Sequence, residues 1–262
     1  MRVDLKGRTA LVTGGSLGLG RAIAERLGRS GADVIIIARR KNVIDQTVAE
    51  LKSLVAGQIE GHACDVSKGA DIDRVFETIS GSGRGVDILV NNAGSSARSP
   101  FLEMDRGMLS ADLELKLHAA VRFSQLTLPH MQRQRWGRII NVVSITAKAP
   151  GPGSAPTTLS RAAGLALTKA MSQEFAKDNV LINALCTGII KSDQWVREHA
   201  QLHADTPFED YLRDKAKANN IPLGRLGEAE EFANVACFLA SDLASYITGA
   251  AINIDGGRSP VV

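Results

Sequence analysis

The sequence predicts an α/β fold, in which helices cover both faces of a doubly wound parallel sheet of about seven strands. Short apolar runs alternate along the 262 residues with stretches whose apolar residues recur at helical spacing. One run, Val34-Ile35-Ile36-Ile37, is unbroken and β-branched, which is typical of a strand buried on both faces. No repeat or interdomain linker interrupts this alternation, so we expect a single domain over residues 1–262.

The predicted elements follow one another in strand–helix order. The apolar runs predict strands over residues 9–13, 33–38, 58–64, 87–90, 138–143, 180–186 and 251–254. The helical patterns predict helices over residues 17–29, 43–55, 72–79, 105–133, 156–177 and 228–239. We expect Pro129 to kink or end the fourth helix, because proline has no N–H to donate.

Two stretches break this order. Residues 148–156 are rich in Pro and Gly, which predicts a loop. Residues 191–226 form a long insertion with mixed helical pieces, and connections of this length are usually functional. We interpret the insertion as a substrate lid, because ligands of such sheets bind at the carboxyl ends of the strands. Its aromatic residues Trp195, Phe208 and Tyr211 favour a small-molecule substrate.

Composition argues against several classes of function. The net charge is only +3, from 31 basic and 28 acidic residues, so we expect no nucleic-acid partner and no membrane partner. The three cysteines, Cys64, Cys186 and Cys237, are widely spaced and predict neither disulfides nor a metal site. His199 and His203 have the i, i+4 spacing of metal ligands, but we interpret them as a solvated helix face and expect no metal. The chain shows no signal peptide, and we expect a cytoplasmic location.

A glycine-rich segment lies between the first predicted strand and the first predicted helix. Its glycines permit a tight turn and a close approach of pyrophosphate to the backbone. The following helix N-terminus offers free N–H groups and a partial positive charge. A simple turn is the alternative, but the position at the start of a strand–helix–strand unit favours the dinucleotide site of a Rossmann fold. The cofactor-binding residues expected in this segment are Gly14, Ser16, Leu17, Gly18 and Gly20.

Four motifs resemble those of the short-chain dehydrogenase/reductase family: T-G-x-x-x-G-x-G at residues 13–20, Asp65 after the third strand, N-N-A-G at residues 91–94 and D-G-G at residues 255–257. The resemblance spans essentially the whole chain. It implies a small-molecule substrate and a homo-oligomer, either a dimer or a tetramer. It also implies that Asp65 contacts the adenine ring. The further cofactor contacts that we expect are Val66, Asn92, Ala93, Gly94, Gly188 and Ile190.

The residues after the second strand predict which cofactor is bound. NAD-binding members of such folds place an acid there to hold the ribose hydroxyls. This chain instead has Ala38, Arg39 and Arg40, and a guanidinium can bind a 2′-phosphate bidentately. The alternative is that the two arginines only cap a strand end in water. We expect NADP(H), bound by Arg39 and Arg40.

The resemblance fails at the catalytic positions. The family uses an Asn in the fourth helix, a Ser after the fifth strand, and Tyr-x-x-x-Lys in the next helix. Ser144 matches the Ser, whereas Lys116, Thr157 and Arg161 stand at the Asn, Tyr and Lys positions. A threonine hydroxyl is a far weaker acid than a phenol, whose pKa is about 10. Arg161 can still hold ribose hydroxyls of the cofactor, but it cannot shuttle a proton.

Other residues are candidates for the missing proton donor. Lys116 would lie beside Arg161, which would lower its pKa and allow it to donate a proton. A structural role fits Lys116 equally well. We interpret Lys148, in the loop after Ser144, as an exposed charge. Tyr211, in the predicted lid, could also reach the site.

These observations predict an NADP(H)-dependent oxidoreductase that acts on a small carbonyl or alcohol with a non-standard proton donor. Two alternatives stay open: a non-catalytic NADP(H)-binding protein, and a non-redox enzyme on the same scaffold. The complete cofactor site and Ser144 favour the oxidoreductase. The presence of Thr157 and Arg161 where the family has Tyr and Lys favours the alternatives.

Overall fold

A single parallel sheet forms the centre of the computed structural model, which describes residues 3–262 except the side chains of residues 193, 194 and 197. Its strands are β1 Thr9–Thr13, β2 Asp33–Ala38, β3 Ile59–Ala63, β4 Ile88–Asn91, β5 Gly137–Ser144, β6 Val180–Thr187 and β7 Ala251–Ile254. Their order is β3-β2-β1-β4-β5-β6-β7, and every neighbouring pair is parallel. Strand order reverses on either side of β1, so the sheet is doubly wound. The predicted fold class is confirmed.

Helices connect the strands. They are α1 Gly18–Arg29, α2 Lys41–Lys52, α3 Gly69–Gly81, α4 Arg106–Leu113, α5 Ala119–Gln134, α6 Ala155–Phe175, α7 Asp193–Leu202, α8 Phe208–Ala218 and α9 Ala229–Leu239. Side chains alternate between the two faces of each strand, so Val12 and Ile36 pack with α1, α2 and α9. Leu11 and Ile35 point to the other face and pack with α3, α5 and α6.

The long fourth helix of the prediction differs from the structure in two ways. One π-helical turn, Glu114–His118, separates α4 from α5, where the prediction had a continuous helix. Pro129 does not end α5, which continues to Gln134 because the buried Leu128 and Met131 hold it against the sheet. Single π-helical turns occur often at functional sites, and this one contains Lys116.

The insertion 191–226 folds into α7 and α8. These helices enclose a separate apolar cluster, in which Tyr211, Leu212 and Leu226 are buried and Trp195 packs beside them. The role of this insertion as a substrate lid stays a prediction. The assignment of residues 1–262 to one domain also stays a prediction. Within the described residues, no helix is long and apolar enough to cross a membrane.

Replacing Phe123 tests the core beneath α5. Phe123 is fully buried, whereas Phe101 is 71% exposed and provides a matched control. We expect Phe123→Ala to lower the free energy of unfolding by about 3–5 kcal/mol, because it removes a large apolar side chain and leaves a cavity. Phe101→Ala should change it by less than about 0.5 kcal/mol. Urea unfolding measures both, and equal losses in the two variants would contradict this packing.

Candidate active site

A cleft of about 770 Å³ lies at the carboxyl ends of the strands. Loops after β1, β2, β4, β5 and β6 all contribute to its walls, because the ends of parallel strands meet at one edge of a sheet. Most of the residues predicted to bind the cofactor line this cleft: Gly14, Ser16, Leu17, Gly20, Arg39, Arg40, Val66, Asn92, Ala93, Gly94, Arg161, Gly188 and Ile190.

The loop between β1 and α1 is held tightly to the N-N-A-G motif after β4. The hydroxyl of Thr13 accepts hydrogen bonds from the backbone N–H groups of Asn92 and Ala93, both at 3.0 Å. A Cβ on Gly20 would lie 2.1 Å from the carbonyl oxygen of Gly14, so only glycine fits there. No side chain caps the N-terminus of α1, and its first turn has no acidic residue. Its free N–H groups therefore form an anion site at the wall of the cleft.

Two predicted cofactor residues are outside the set that lines the cleft. Gly18 has φ +53°, a left-handed conformation that favours glycine, and it shapes the turn before α1. The carboxylate of Asp65 accepts hydrogen bonds from the hydroxyl and the backbone N–H of Ser67. The bond from the Ser67 hydroxyl lowers the pKa of Asp65. Roles of Gly18 and Asp65 in cofactor binding stay predictions.

Arg39 and Arg40 follow β2 at the edge of the cleft. Both are exposed, and neither forms an ion pair with a described acidic residue. Among the described residues that line the cleft there is no Asp or Glu. An anion on the ligand would therefore meet two unpaired guanidinium groups here without repulsion from a carboxylate.

A buried ionic cluster lies behind the cleft. The Nζ atom of Lys116 donates hydrogen bonds to Oδ1 of Asp112 and, at 2.7 Å, to Oγ1 of Thr157. The side chains of Lys116 and Asp112 are each only 3% exposed. Ser160 donates its hydroxyl proton to the second oxygen of Asp112 at 2.5 Å. Thr157 lines the cleft, whereas Lys116 lines a small adjoining cavity.

Electrostatics make the Lys116 ammonium a better proton donor than an ordinary lysine. Burial lowers its pKa below the usual 10.5, and the nearby positive charge of Arg161 lowers it further. The hydrogen bond and the charge of Asp112 oppose this shift. Burial also lowers the pKa of Arg161 to about 10, so this guanidinium stays charged near neutral pH. Arg161 donates a hydrogen bond to the carbonyl oxygen of Val142, which fixes it beside the cleft.

Two residues that line the cleft, Ser144 and Thr157, carry hydroxyl groups whose oxygens accept hydrogen bonds from the protein. Ser144 accepts hydrogen bonds from the backbone N–H and, at 3.1 Å, from the hydroxyl of Thr146. Thr157 accepts from Lys116. Each oxygen already receives a donor, so each O–H can point toward a ligand in the cleft. This arrangement can polarise and protonate an oxygen atom placed between them.

Sequence reasoning missed Asp112 and Ser160. Their spacing could have indicated both residues. Asp112 is four residues before Lys116 on the fourth predicted helix, and Ser160 is three residues after Thr157 on the fifth, so each pair shares a helical face. An ordinary surface ion pair gives the same spacing. Only the packing of α4, the π-helical turn and α6 shows that this pair is buried.

The structure corrects three other interpretations. Lys148 is not an exposed charge: it is half-buried, and its Nζ donates to the carbonyl oxygen of Ala251 at 2.7 Å. His199 is not fully solvated, because it packs against Tyr211 and Phe208 in the apolar cluster of the insertion. Tyr211 is buried in the same cluster and does not line the cleft. Among the described residues, no group of three side chains could hold a metal ion.

Comparison with known proteins gives matches along the whole chain. A family model described as enoyl-(acyl carrier protein) reductase matches residues 14–259. The 3-oxoacyl-[acyl-carrier-protein] reductase FabG of Aquifex aeolicus is 35% identical over 98% of this chain and 99% of its own length.

Two solved structures share the fold closely. L-sorbose reductase from Gluconobacter frateurii, complexed with NADPH and L-sorbose, is 31% identical, with a TM-score of 0.94 over 100% of both chains. An NADPH-bound short chain oxidoreductase from Pseudomonas aeruginosa PAO1 is described as containing an atypical catalytic center. It is 32% identical, with a TM-score of 0.92 over 99% of this chain and 100% of that one.

A double-mutant cycle tests the buried ion pair. We expect Asp112→Asn alone to lower the free energy of unfolding by about 3–5 kcal/mol, because it leaves the Lys116 ammonium buried without a counter-charge. Adding Lys116→Met should recover part of this loss, which gives a coupling energy of about 1–3 kcal/mol.

The exposed i, i+4 pair Lys41–Asp45 provides the matched control, because its side chains are 62% and 57% exposed. The same two changes there should show a coupling energy below about 0.5 kcal/mol. A coupling for Asp112 and Lys116 no larger than this control would contradict the burial of the pair.

Proposed function

The chain belongs to the short-chain dehydrogenase/reductase family, and we propose that it is an NADP(H)-dependent oxidoreductase acting on a small carbonyl or alcohol. We propose further that its proton donor is non-standard: Lys116 supplies the proton, and the hydroxyl of Thr157 passes it to the substrate. The contact that carries this proposal is the 2.7 Å hydrogen bond from Lys116 Nζ to Thr157 Oγ1. It joins a buried ammonium group to the hydroxyl of a residue that lines the cleft.

The residues of the cleft fit NADP(H). The uncapped N-terminus of α1 suits a pyrophosphate, and the unpaired Arg39 and Arg40 suit a 2′-phosphate. Two structurally similar proteins, from Gluconobacter and Pseudomonas, were solved with NADPH, which supports the same assignment here. When bound, the cofactor supplies or accepts the hydride at the substrate carbon.

In the direction of reduction, the substrate oxygen is held by two hydroxyl groups. Ser144 donates one hydrogen bond and Thr157 donates another, since both have a free O–H at the cleft. Negative charge develops on this oxygen as the carbonyl carbon is reduced. Fixed donors stabilise that charge more than water does, because they need no reorganisation during the reaction.

The proton then moves along the hydrogen bond already present. The O–H bond of Thr157 breaks as the product O–H bond forms, and a proton from Lys116 replaces it on the Thr157 oxygen. Threonine thus never has to bear a full negative charge, which removes the objection that its hydroxyl is too weak an acid. Lys116 becomes neutral and, after the product leaves, regains its proton from water in the cleft through the same Thr157 hydroxyl. Oxidation of an alcohol follows the same path in reverse.

The charged neighbours of Lys116 position it for this role. Asp112 orients the ammonium group, and Ser160 orients Asp112 through its other oxygen. Arg161 stands beside the cleft, where it is placed to bind the ribose hydroxyls of the cofactor. Its charge also favours release of the proton from Lys116.

We also propose that residues 191–226 act as the substrate lid of a single-domain protein. Lys191, Ser192, Trp195 and Asn219 line the cleft and come from this insertion. A homo-oligomer, either dimer or tetramer, belongs to the same proposal, and light scattering coupled to gel filtration measures it.

Cofactor preference tests the role of the two arginines. We expect the wild type to bind NADPH at least about tenfold more tightly than NADH, because charge-assisted hydrogen bonds reach the 2′-phosphate. Arg39→Ala should lose most of this preference while NADH affinity stays the same. Quenching of protein fluorescence measures both cofactors, with Arg213→Ala, on the exposed face of α8, as a charge-matched control. Equal wild-type affinities for NADPH and NADH would contradict the assignment.

Rates of NADPH oxidation test the proton path, with a panel of aldehydes and ketones as substrates. We expect Lys116→Met and Thr157→Val each to lower kcat at least about tenfold, because each removes one link of the path. Thr157→Ser keeps a hydroxyl and should retain most of the activity. Thr158→Val is the matched control, since the Thr158 hydroxyl bonds to Ser154 and does not line the cleft.

The pH dependence of kcat provides a second readout. Reduction needs the protonated Lys116, whose pKa lies below 10.5, so kcat should fall as pH rises through that pKa. The fall should disappear in Lys116→Met. Robust reduction unaffected by Lys116→Met would contradict the proton path. Tight NADPH binding with no turnover of any substrate would instead favour the non-catalytic binding protein.

A further inference from the structure

The charge of the cleft is strongly one-sided. Six of its described lining residues are cationic and none is acidic, although the whole chain has 31 basic and 28 acidic residues. The cationic residues are Arg39, Arg40, Arg98, Arg161, Lys191 and Arg258. We propose that Arg98 and Arg258 bind an anionic group of the substrate, so that the substrate is a carbonyl compound or alcohol bearing a carboxylate. This inference rests on the proposed oxidoreductase function.

Arg258 is fixed at the end of the cleft beyond β7. Its Nε donates to the carbonyl oxygen of Asn219 at 3.0 Å, and its backbone N–H donates to that of Asp255 at 3.3 Å. Both Arg258 and Asn219 line the cleft. Arg258 forms no ion pair with a described acid, and its two terminal nitrogens donate no hydrogen bond to any described residue. They can therefore receive both oxygens of a carboxylate.

Arg98 approaches from the loop after β4. One of its terminal nitrogens donates to the carbonyl oxygen of Pro152 at 3.3 Å, and it also has no ion-pair partner among the described acids. Its neighbour Ala97 accepts the backbone N–H of Thr157 at 3.2 Å. This contact ties the Arg98 loop to the residue that we propose protonates the substrate.

Lys191 differs from these two arginines. Its Nζ lies 2.6 Å from a carboxylate oxygen of Glu228, and that hydrogen bond raises the pKa of Lys191. Its charge is therefore already compensated by the protein. Of Arg98, Lys191 and Arg258, only the two arginines are therefore left to pair with an anionic ligand.

The 2′-phosphate of the cofactor cannot account for Arg258. β2, which carries Arg39 and Arg40 at its end, is five strand positions from β7 in the sheet. At about 4.8 Å for each step, the two ends of the cleft are roughly 24 Å apart. A 2′-phosphate held at β2 is therefore beyond the reach of Arg258, which leaves this guanidinium available for an anion of the substrate.

Binding of a matched acid and ester tests this inference. The probes are 4-formylbenzoate and its methyl ester, which share the aldehyde and differ in the negative charge. Calorimetric titration into the protein–NADP⁺ complex, which has no hydride to give, should show at least about tenfold tighter binding of the acid. Arg258→Gln and Arg98→Gln should each reduce the ratio of acid affinity to ester affinity at least about fivefold. Arg213→Gln, which removes a charge outside the cleft, should keep it.

Salt provides a readout that needs no variant. Raising NaCl from about 0.05 M to about 0.5 M should weaken binding of the acid and leave binding of the ester nearly constant. Equal binding of acid and ester by the wild type would overturn the inference, as would a preference unchanged in both arginine variants. Failure to bind NADP⁺ would refute the proposed function instead. In that case, the acid and the ester would be titrated into the free protein, and equal binding of the two would overturn the anion site as well.

Discussion

The proposed chemistry depends on one buried ion pair. Asp112 and Lys116 lie on consecutive turns of one helical segment, with side chains almost fully excluded from water. Removing two charges from water costs free energy. The attraction within the pair can offset this cost because its remaining hydrogen-bonding groups are satisfied. Ser160 bonds to Asp112, and Thr157 accepts from Lys116. The second of these contacts joins the pair to a residue that lines the cleft.

The sheet places this pair where it can be used. Parallel strands bring the loops after β1, β2, β4, β5 and β6 to one edge, and the π-helical turn sets Lys116 beneath that edge. Gly94 lines the cleft and lies close to the cluster. A Cβ there would lie 2.9 Å from a guanidinium nitrogen of Arg161 and 3.4 Å from Cγ of Lys116. These groups are closely packed, and the hydrogen bond from Lys116 to Thr157 is the contact on which we base the proposed proton path.

Much of the fold could be predicted from the sequence, because local patterns encode it. The run Val34–Ile37 and the glycines of the first loop identify a buried strand and a phosphate turn without knowledge of their neighbours. The π-helical turn could not be predicted, since it arises where α4, which packs against α6, meets α5, which packs against β4 and β5. Nor could the burial of Asp112, because an i, i+4 pair looks the same on an exposed helix such as α2.

The charge of the cleft illustrates the same limit. Arg98 and Arg258 are 160 residues apart in sequence, and only the fold brings both to one cleft. Sequence reasoning found Arg39 and Arg40 because they follow a strand whose role was already clear. Residues that face a variable substrate have no such fixed position, so their shared function emerges only from the structure.

The most direct test of the account is the protonation state of Lys116 during the loss of activity. In protein labelled with ¹³C and ¹⁵N at lysine, NMR of the NADPH complex can follow the Lys116 side chain across the pH range, with Lys116→Met identifying its signal. We expect Lys116 to lose its proton below pH 10.5, at the same pH at which kcat falls, and Thr157→Val to shift its signal. A Lys116 that stays protonated while kcat falls would contradict this expectation.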